Sequence, residues 1–254
     1  MKIIGCQWNL AWEDRPANFI RVRELLRESG PTDLIVLPEM FSSGFSKAVE
    51  HIAEPDSSPT ESFLRELALG HRSVVIGGLV RRLEDGWGSN ELIAYDAEAG
   101  ELGRYVKNRT FRYTGESDHY RPGSDLLLFR MGDWTVAPFI CYDLRFPELF
   151  RRAVGRGAEL LIVIASWPVA RVEHWVTLLQ ARAIENQAYV IGVNRTGRDP
   201  HYIYPGRSLV IDPWGRIVAD AGAEDGLVEA TLDRDAVLQW RAEFPALADL
   251  EADG

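Results

Sequence analysis

The chain has 254 residues, of which 46% are hydrophobic and 26% are charged, and its formal net charge at pH 7 is −10. This composition is typical of a globular protein with a sizeable core, and no apolar run approaches the roughly 18–20 residues that span a bilayer, so we expect no membrane association. The negative balance, without a block of lysine or arginine, argues against nucleic acid as a partner but leaves room for a small anionic substrate held by one pocket cation.

Apolar runs typical of strands alternate with segments of helical periodicity. The first half of the chain is predicted to contain strands over 2–8, 33–40 and 73–80, helices over 16–29 and 60–68, and a hairpin over 89–107. The second half is predicted to contain a hairpin over 125–143, strands over 159–168, 188–194, 207–220 and 226–233, a helix opening at Pro147, a long helix over 171–187, and a last helix ending near Pro245. This alternation indicates an α/β fold, and without a linker or repeat we expect residues 1–254 to form one domain.

Cysteine usage bears on the compartment, since the chain has only Cys6 and Cys141. A domain of this size does not need a disulfide, and the opening stretch MKIIGCQWNLAWED becomes polar too early for a secretory signal. We therefore expect a cytoplasmic protein whose two thiols are reduced and free.

Three strand-like runs are each followed directly by a reactive side chain: Glu39 in LIVLPEMF, Lys107 in RYVKNRTF and Cys141 in APFICYDLRF. In layered α/β proteins, functional groups gather beyond the carboxyl ends of strands. Each residue also has an ordinary explanation, as a loop carboxylate, a surface lysine or an inert core thiol. None of the three is convincing alone.

Together the three side chains form a complete set for acyl transfer. The thiol of Cys141 is a nucleophile once it is deprotonated, and Glu39 can serve as its general base. Lys107 and the backbone N–H of Tyr142, at the turn after the strand, can stabilise the oxyanion that forms on the attacked carbonyl. No histidine of the chain lies within these three segments, whereas a papain-like enzyme would need one beside its cysteine.

The segments LPEMF, YVKNRTF and FICYDLRFPE resemble the Glu, Lys and Cys segments of the nitrilase superfamily of carbon–nitrogen hydrolases, in the same order. The resemblance runs nearly end to end, and HWVTLLQARAIENQAYV is most similar to the ω-amidase branch. It implies a four-layer α-β-β-α sandwich, commonly assembled as a homodimer through the helices that follow the Cys strand and the layer on the Lys side.

The resemblance also implies roles for individual residues. Glu39 is the general base, Lys107 the oxyanion stabiliser and Cys141 the nucleophile that forms a thioester, while Glu116 in TGES matches a second Glu that orients the lysine or the attacking water. The sequence departs from the family at Arg109-Thr110, where relatives often have His-Leu after Lys-x; the departure bears on loop packing and substrate preference.

An ω-amidase cleaves the side-chain amide of a short 2-oxo dicarboxylate monoamide, such as 2-oxoglutaramate, and needs a cation for the distal carboxylate. Arg145 is a candidate, although an ion pair with Glu148 or Asp143 explains it equally well. Three aromatic side chains near strand ends are either pocket walls or plain core: Phe41, Phe111 and Trp167.

No cofactor or metal is expected, because the sequence has neither a Cys/His ligand cluster nor a G-x-G-x-x-G loop. Other carbon–nitrogen substrates, namely a nitrile, an N-carbamoyl amino acid or another short amide, would use the same three residues. A catalytically silent scaffold is a further alternative, although such a protein has no chemical need for all three groups.

Overall fold

Two six-stranded sheets dominate the computed structural model, which describes residues 1–56 and 58–250. The helices are α1 (Arg15–Leu26), α2 (Val49–Ile52), α3 (Pro59–His71), α4 (Pro147–Gly155), α5 (Val172–Asn186) and α6 (Arg234–Glu243). The strands are β1 (Lys2–Gln7), β2 (Leu34–Val36), β3 (Val74–Arg82), β4 (Gly88–Asp96), β5 (Gly100–Val106), β6 (Phe129–Met131), β7 (Trp134–Ile140), β8 (Leu160–Ala165), β9 (Tyr189–Asn194), β10 (Thr196–Arg198), β11 (Ile203–Pro205), β12 (Leu209–Ile211), β13 (Ile217–Asp220) and β14 (Gly226–Thr231).

The two sheets share one plan, with a parallel centre and antiparallel edges. The first has the order β14-β1-β2-β3-β4-β5 and the second β13-β12-β9-β8-β7-β6. Strands β1, β2 and β3 run parallel, as do β7, β8 and β9. Neighbouring parallel strands therefore end on the same edge of each sheet, where ligand sites of α/β proteins form.

The sheets pack face to face because their central strands are apolar on both faces. On β1, Ile3 lies in the core between the sheets, whereas Ile4 and Cys6 lie in a second core on the outer face. The same alternation places Leu34 of β2 inside and Ile35 outside. Successive side chains of a strand point to opposite faces, so such runs need a layer on each side.

Helices supply the outer layers. Val22 of α1 and Phe63 of α3 belong to the outer core of the first sheet. Phe150 of α4 and Trp175 of α5 cover the second sheet. The result is the four-layer α-β-β-α sandwich that the sequence motifs predicted.

Several elements differ from the sequence predictions: the short helix α2 was not predicted, and segment 207–220 forms two strands, β12 and β13, and not one. Strand β2 is much shorter than the predicted 33–40, since Pro38 has no N–H to continue a ladder and the chain leaves the sheet there. The small hairpin β10–β11 was not predicted, because its sequence, TGRDPHYIYP, contains no apolar run. No helix among the described residues is both long and apolar enough to cross a membrane.

Candidate active site

Glu39, Lys107 and Cys141 converge although they follow three different strands, β2, β5 and β7. The first two belong to one sheet and the third to the other, so the cluster bridges the sandwich. All three side chains are buried, with exposed fractions of 0%, 1% and 7%. Burial removes them from the solvent screening that weakens exposed charges.

Glu39 is held by the loop that leaves β2. Met40, the next residue, has a left-handed φ of 47°, which turns the chain sharply. A Cβ on Gly78 would lie 2.6 Å from the Met40 nitrogen and 2.8 Å from Glu39 Cα, so only glycine allows β3 to approach this closely. The carboxylate is fixed from the opposite sheet as well, because the Ser166 N–H donates to Glu39 Oε2 over 2.8 Å.

A buried lysine joins two buried carboxylates. Lys107 Nζ lies 2.9 Å from Glu39 Oε1, and it contacts both carboxylate oxygens of Glu116, at 2.9 and 3.0 Å. Asn90 of β4 donates through Nδ2 to the same two carboxylates, over 2.7 Å to Glu39 and 3.2 Å to Glu116. Glu116 also accepts the backbone N–H of Phe111.

Electrostatics keep this lysine charged. Burial alone would lower the pKa of Lys107, but Glu116 and Glu39 outweigh it and hold the pKa well above its usual range. The ammonium is therefore a permanent positive charge inside the protein. A preorganised charge of this kind can stabilise a developing oxyanion without reorganisation.

Cys141 occupies a strained turn at the end of β7. Its φ is 48°, a left-handed conformation that is rare for a residue other than glycine, and a 3₁₀ turn over Cys141–Arg145 follows. Asp143 anchors this turn: its carboxylate accepts the Ile140 N–H over 3.1 Å, the Tyr105 hydroxyl over 2.8 Å and the Arg109 N–H over 2.8 Å. The buried carboxylate thus ties the cysteine turn to the strand end that carries the lysine.

The thiol of Cys141 rests in its protonated form. Burial and the adjacent Glu39 carboxylate raise its pKa well above the usual range, while Lys107 and the Ser166 N–H act in the opposite direction. The thiolate therefore needs a base in order to form. Glu39 is the neighbouring group that can accept the proton.

A cavity opens beside Cys141. The predicted residues that line it are Lys107, Phe111, Cys141, Tyr142, Arg145 and Trp167. Those that the sequence did not indicate are Phe45, Thr114, Ser166, Pro168, Arg171, Tyr202 and Tyr204. Aromatic rings thus form much of the wall, and none of the described lining residues is acidic.

Arg145 pairs with neither of the carboxylates that its position suggested. Glu148 lies 3.6 Å from Arg109, and Asp143 is engaged in the turn. The Arg145 guanidinium lies over the Trp167 ring, 4.9 Å from its centroid. It faces the cavity without an acidic partner among the described residues.

Phe41 does not line the cavity, so of its two explanations, pocket wall or core, the structure supports the core. The left-handed turn at Met40 directs Phe41 to the helix side of the first sheet, where it is fully buried near Phe19 and Phe63. It belongs to the outer core.

Sequence reasoning missed several residues of this site. Asn90 lies inside a strand, and Arg171 lies well beyond the end of β8, so neither has a local signal. Ser166 directly follows β8, so the tendency of functional groups to follow strand ends, which indicated Glu39, could also have indicated Ser166. No group of three His, Cys, Asp or Glu side chains within residues 1–56 and 58–250 is arranged to hold a metal ion.

Comparison with known proteins identifies the family. The sequence model of the carbon–nitrogen hydrolase family matches residues 3–242. The 2-oxoglutaramate amidase of Bacillus subtilis strain 168 is 34% identical over 254 residues, which cover 98% of either chain. The omega-amidase YafV of Escherichia coli K12 is 36% identical over 255 residues, covering 99% of this chain and 97% of its own.

The fold comparison agrees with the sequence comparison. The crystal structure of XC1258 from Xanthomonas campestris, a CN-hydrolase superfamily protein with an arsenic adduct in its active site, matches with a TM-score of 0.95 and 33% identity. The alignment covers 100% of this chain and 98% of XC1258. The chain therefore belongs to the carbon–nitrogen hydrolase family, within the nitrilase superfamily.

Proposed function

We propose that this enzyme is an ω-amidase, which releases ammonia from a short amide bearing a distal carboxylate, such as 2-oxoglutaramate or 2-oxosuccinamate. One observation carries the proposal: Cys141 lies beside the buried cluster of Glu39, Lys107 and Glu116, in a cavity that also holds Arg145 without an acidic partner. Relatives named 2-oxoglutaramate amidase and omega-amidase support the choice of substrate.

Acylation begins with proton transfer from the Cys141 thiol to Glu39. The sulfur attacks the amide carbon, a C–S bond forms, and the carbonyl electrons move onto oxygen. Lys107 Nζ and the Tyr142 N–H receive this oxyanion. As the carbonyl re-forms, the C–N bond breaks, and Glu39 returns the proton to the leaving nitrogen so that it departs as ammonia.

Deacylation repeats the sequence with water. Glu39 takes a proton from a water molecule, which attacks the thioester carbon, and the second oxyanion rests on the same donors. Collapse breaks the C–S bond, Glu39 returns its proton to the sulfur, and the carboxylic acid product leaves. Glu116, in contact with Lys107 through both oxygens, keeps the ammonium in place through both halves.

The substrate end that does not react needs a cation and an apolar wall. Arg145 supplies a positive charge, while Phe111 and Trp167 supply flat apolar faces. An aromatic wall suits the short methylene chain between an amide and a distal carboxylate. A nitrile or an N-carbamoyl amino acid would use the same Glu, Lys and Cys, so these three groups alone do not choose among them.

The experiment is ammonia release from 2-oxoglutaramate, glutamine, a simple nitrile and an N-carbamoyl amino acid, with wild type and Cys141→Ala. The proposal expects cysteine-dependent release that is fastest from 2-oxoglutaramate. Release from another member alone would keep the mechanism and overturn the substrate. No release from any would favour a catalytically silent scaffold.

The exposed apolar side chains of the outer helices bear on assembly. We infer a homodimer through these helices, because Ile184 of α5 and Phe244 beyond α6 leave 55% and 56% of their surfaces exposed. Light scattering should then give twice the 28.6 kDa of the chain. We infer a cytoplasmic location, because Cys6 and Cys141 are both unpaired and disulfides are rare in cytosolic proteins.

A further inference from the structure

We propose that Arg171 joins Arg145 in a two-arginine subsite that binds the carboxylate next to C2 of the substrate and rejects an ammonium group at C2. The inference rests on the amidase function proposed above. It names the residue pair that would make amino-acid amides such as glutamine poorer substrates than 2-oxo and unsubstituted acid amides.

Arg171 has an unused donor at the cavity. It lies immediately before α5 and lines the cavity, with its guanidinium 5.3 Å from the centroid of the Phe111 ring. Its Nη2 atom is buried and has no hydrogen-bond partner among the described residues. A buried guanidinium N–H without an acceptor is costly, and a ligand oxygen would supply the acceptor.

Arg145 brings a second positive charge to the same wall. The Trp167 ring beneath it and His174, whose Nδ1 lies 3.1 Å from Arg145 Nη2, hold the guanidinium in place. Burial and the nearby charge of Arg171 lower the pKa of Arg145, while the Tyr142 hydroxyl and the Cys141 thiol act in the opposite direction. Both guanidinium groups line the same cavity.

Neither arginine forms a salt bridge with a described Asp or Glu. None of the described residues that line the cavity is acidic. Two converging cations without a counter-ion are stabilised by an anionic ligand, and planar guanidinium groups match a carboxylate in two-point geometry. A carboxylate is therefore the expected occupant.

The same pair of arginines favours a 2-oxo group over an ammonium group at C2 of the substrate. A 2-oxo group adds an acceptor oxygen beside the carboxylate, which can take a second guanidinium N–H. An ammonium in that position places a like charge against two arginines, with no acidic lining residue to receive it. Rejection by an unpaired charge is a common source of specificity between otherwise similar ligands.

The test compares four amides that share the reacting end: 2-oxoglutaramate, glutaramate, glutamine and the neutral butyramide. Values of kcat/KM are measured for wild type, Arg171→Met and Arg112→Met. Arg112 is a matched control because it is exposed and does not line the cavity. Wild type should prefer 2-oxoglutaramate over glutamine by about 100-fold or more.

Arg171→Met should lower kcat/KM for 2-oxoglutaramate and glutaramate by about 100-fold, mainly through KM, and should leave butyramide within about threefold. It should also reduce the preference for 2-oxoglutaramate over glutamine by about tenfold. Arg112→Met should change none of these. An equal loss for butyramide would mean that Arg171 only supports the fold, and unchanged acid substrates would overturn the subsite.

A binding measurement tests the carboxylate subsite independently of the proposed amidase activity. Calorimetry of glutarate with Cys141→Ala reports the carboxylate subsite without turnover. Binding that Arg171→Met abolishes supports the subsite even if no amide is hydrolysed. Binding that survives Arg171→Met overturns it, whatever the enzyme does to amides.

Discussion

The two cysteines lie in equivalent layers of the sandwich, yet their surroundings differ completely. Cys6, within β1, is fully buried, and burial alone raises the pKa of its thiol. Cys141, one residue beyond β7, is also buried, but the Glu39 carboxylate, the Lys107 ammonium and a backbone N–H act on it as well. Burial therefore does not distinguish a core thiol from a candidate nucleophile, whereas the polar groups within reach do.

The backbone differs as much as the side chains. Cys6 pairs with Leu227 in a regular antiparallel ladder. Cys141 has φ 48° and begins a 3₁₀ turn that the Asp143 carboxylate holds together. Such strain persists only where the surrounding structure compensates for it, and it occurs often at functional sites.

Substitution of the two thiols gives the largest expected difference. Cys141→Ala should reduce ammonia release by roughly 10⁴-fold or more, because no other group can form the thioester. Cys6→Ala should leave turnover nearly unchanged and cost about 1–2 kcal/mol of unfolding free energy through the small cavity it creates. The measurements are kcat and urea denaturation of both variants.

Retained activity in Cys141→Ala would contradict the assignment of Cys141 as the nucleophile. A matching loss in Cys6→Ala, with an unchanged far-UV spectrum, would mean that the wrong thiol had been chosen.

Glu39→Gln removes the base while keeping the shape of the side chain. It should lower kcat by about 10²–10⁴-fold, the usual contribution of general base catalysis. Glu91→Gln is the matched control, since Glu91 is also buried and ion-paired, to Arg81, yet it extends from β4 on the face opposite to Asn90. Similar kcat losses in the two variants would show that buried charge, rather than base catalysis, explains the effect.

The tendency of functional groups to follow the carboxyl ends of strands explains why the reactive residues Glu39, Lys107 and Cys141 could be predicted. Glu39 and Lys107 follow β2 and β5, strands of one sheet whose carboxyl ends lie on the same edge, and Cys141 follows β7 of the facing sheet. This tendency concerns where a strand ends and not where the next side chain points. Only the left-handed turn at Met40 decides that Phe41 lies in the core and not in the pocket wall.

The rest of the site depends on contacts that are distant in sequence. Asn90 reaches Glu39 across 51 positions, and Ser166 reaches it across 127. The tyrosines of β10–β11, Tyr202 and Tyr204, reach the cavity on a hairpin without an apolar run. No local sequence pattern encodes these contacts, since they exist only once each sheet has formed and the two sheets have packed.

A single glycine tests how tightly the Glu39 loop is positioned. Gly78→Ala would force the Met40 turn away from β3, so kcat should fall by about 10–100-fold and stability by about 1–3 kcal/mol. Gly70→Ala is its counterpart, because a Cβ on that helical glycine meets nothing within 4 Å. It should leave kcat unchanged and stabilise α3 by up to about 1 kcal/mol. Equal kcat values in the two variants would contradict the tight approach.

Asp143 is the anchor that Cys141 has and Cys6 lacks, and it should make part of the stability depend on pH. Burial raises the pKa of Asp143 from 3.8 to about 7, against Lys107 and the hydrogen bonds from Tyr105, Ile140 and Arg109. Between these two values the folded protein holds a proton that the unfolded chain has released. The contribution of this group to stability is therefore fully present below pH 4, falls as pH rises towards 7, and is constant above it.

Asp143→Asn removes this titration and leaves a single acceptor oxygen for three donors. The unfolding free energy of the variant relative to wild type should therefore rise between pH 5 and 7, measured by urea denaturation, while kcat falls by about tenfold as the turn loosens. Asp212→Asn, in the turn between β12 and β13, keeps one acceptor oxygen for the Trp214 and Arg216 N–H groups, removes only the charge, and should leave kcat unchanged. Parallel stability curves for wild type and Asp143→Asn would show that the anchor is ionised throughout, and the fall in kcat would then measure geometry alone.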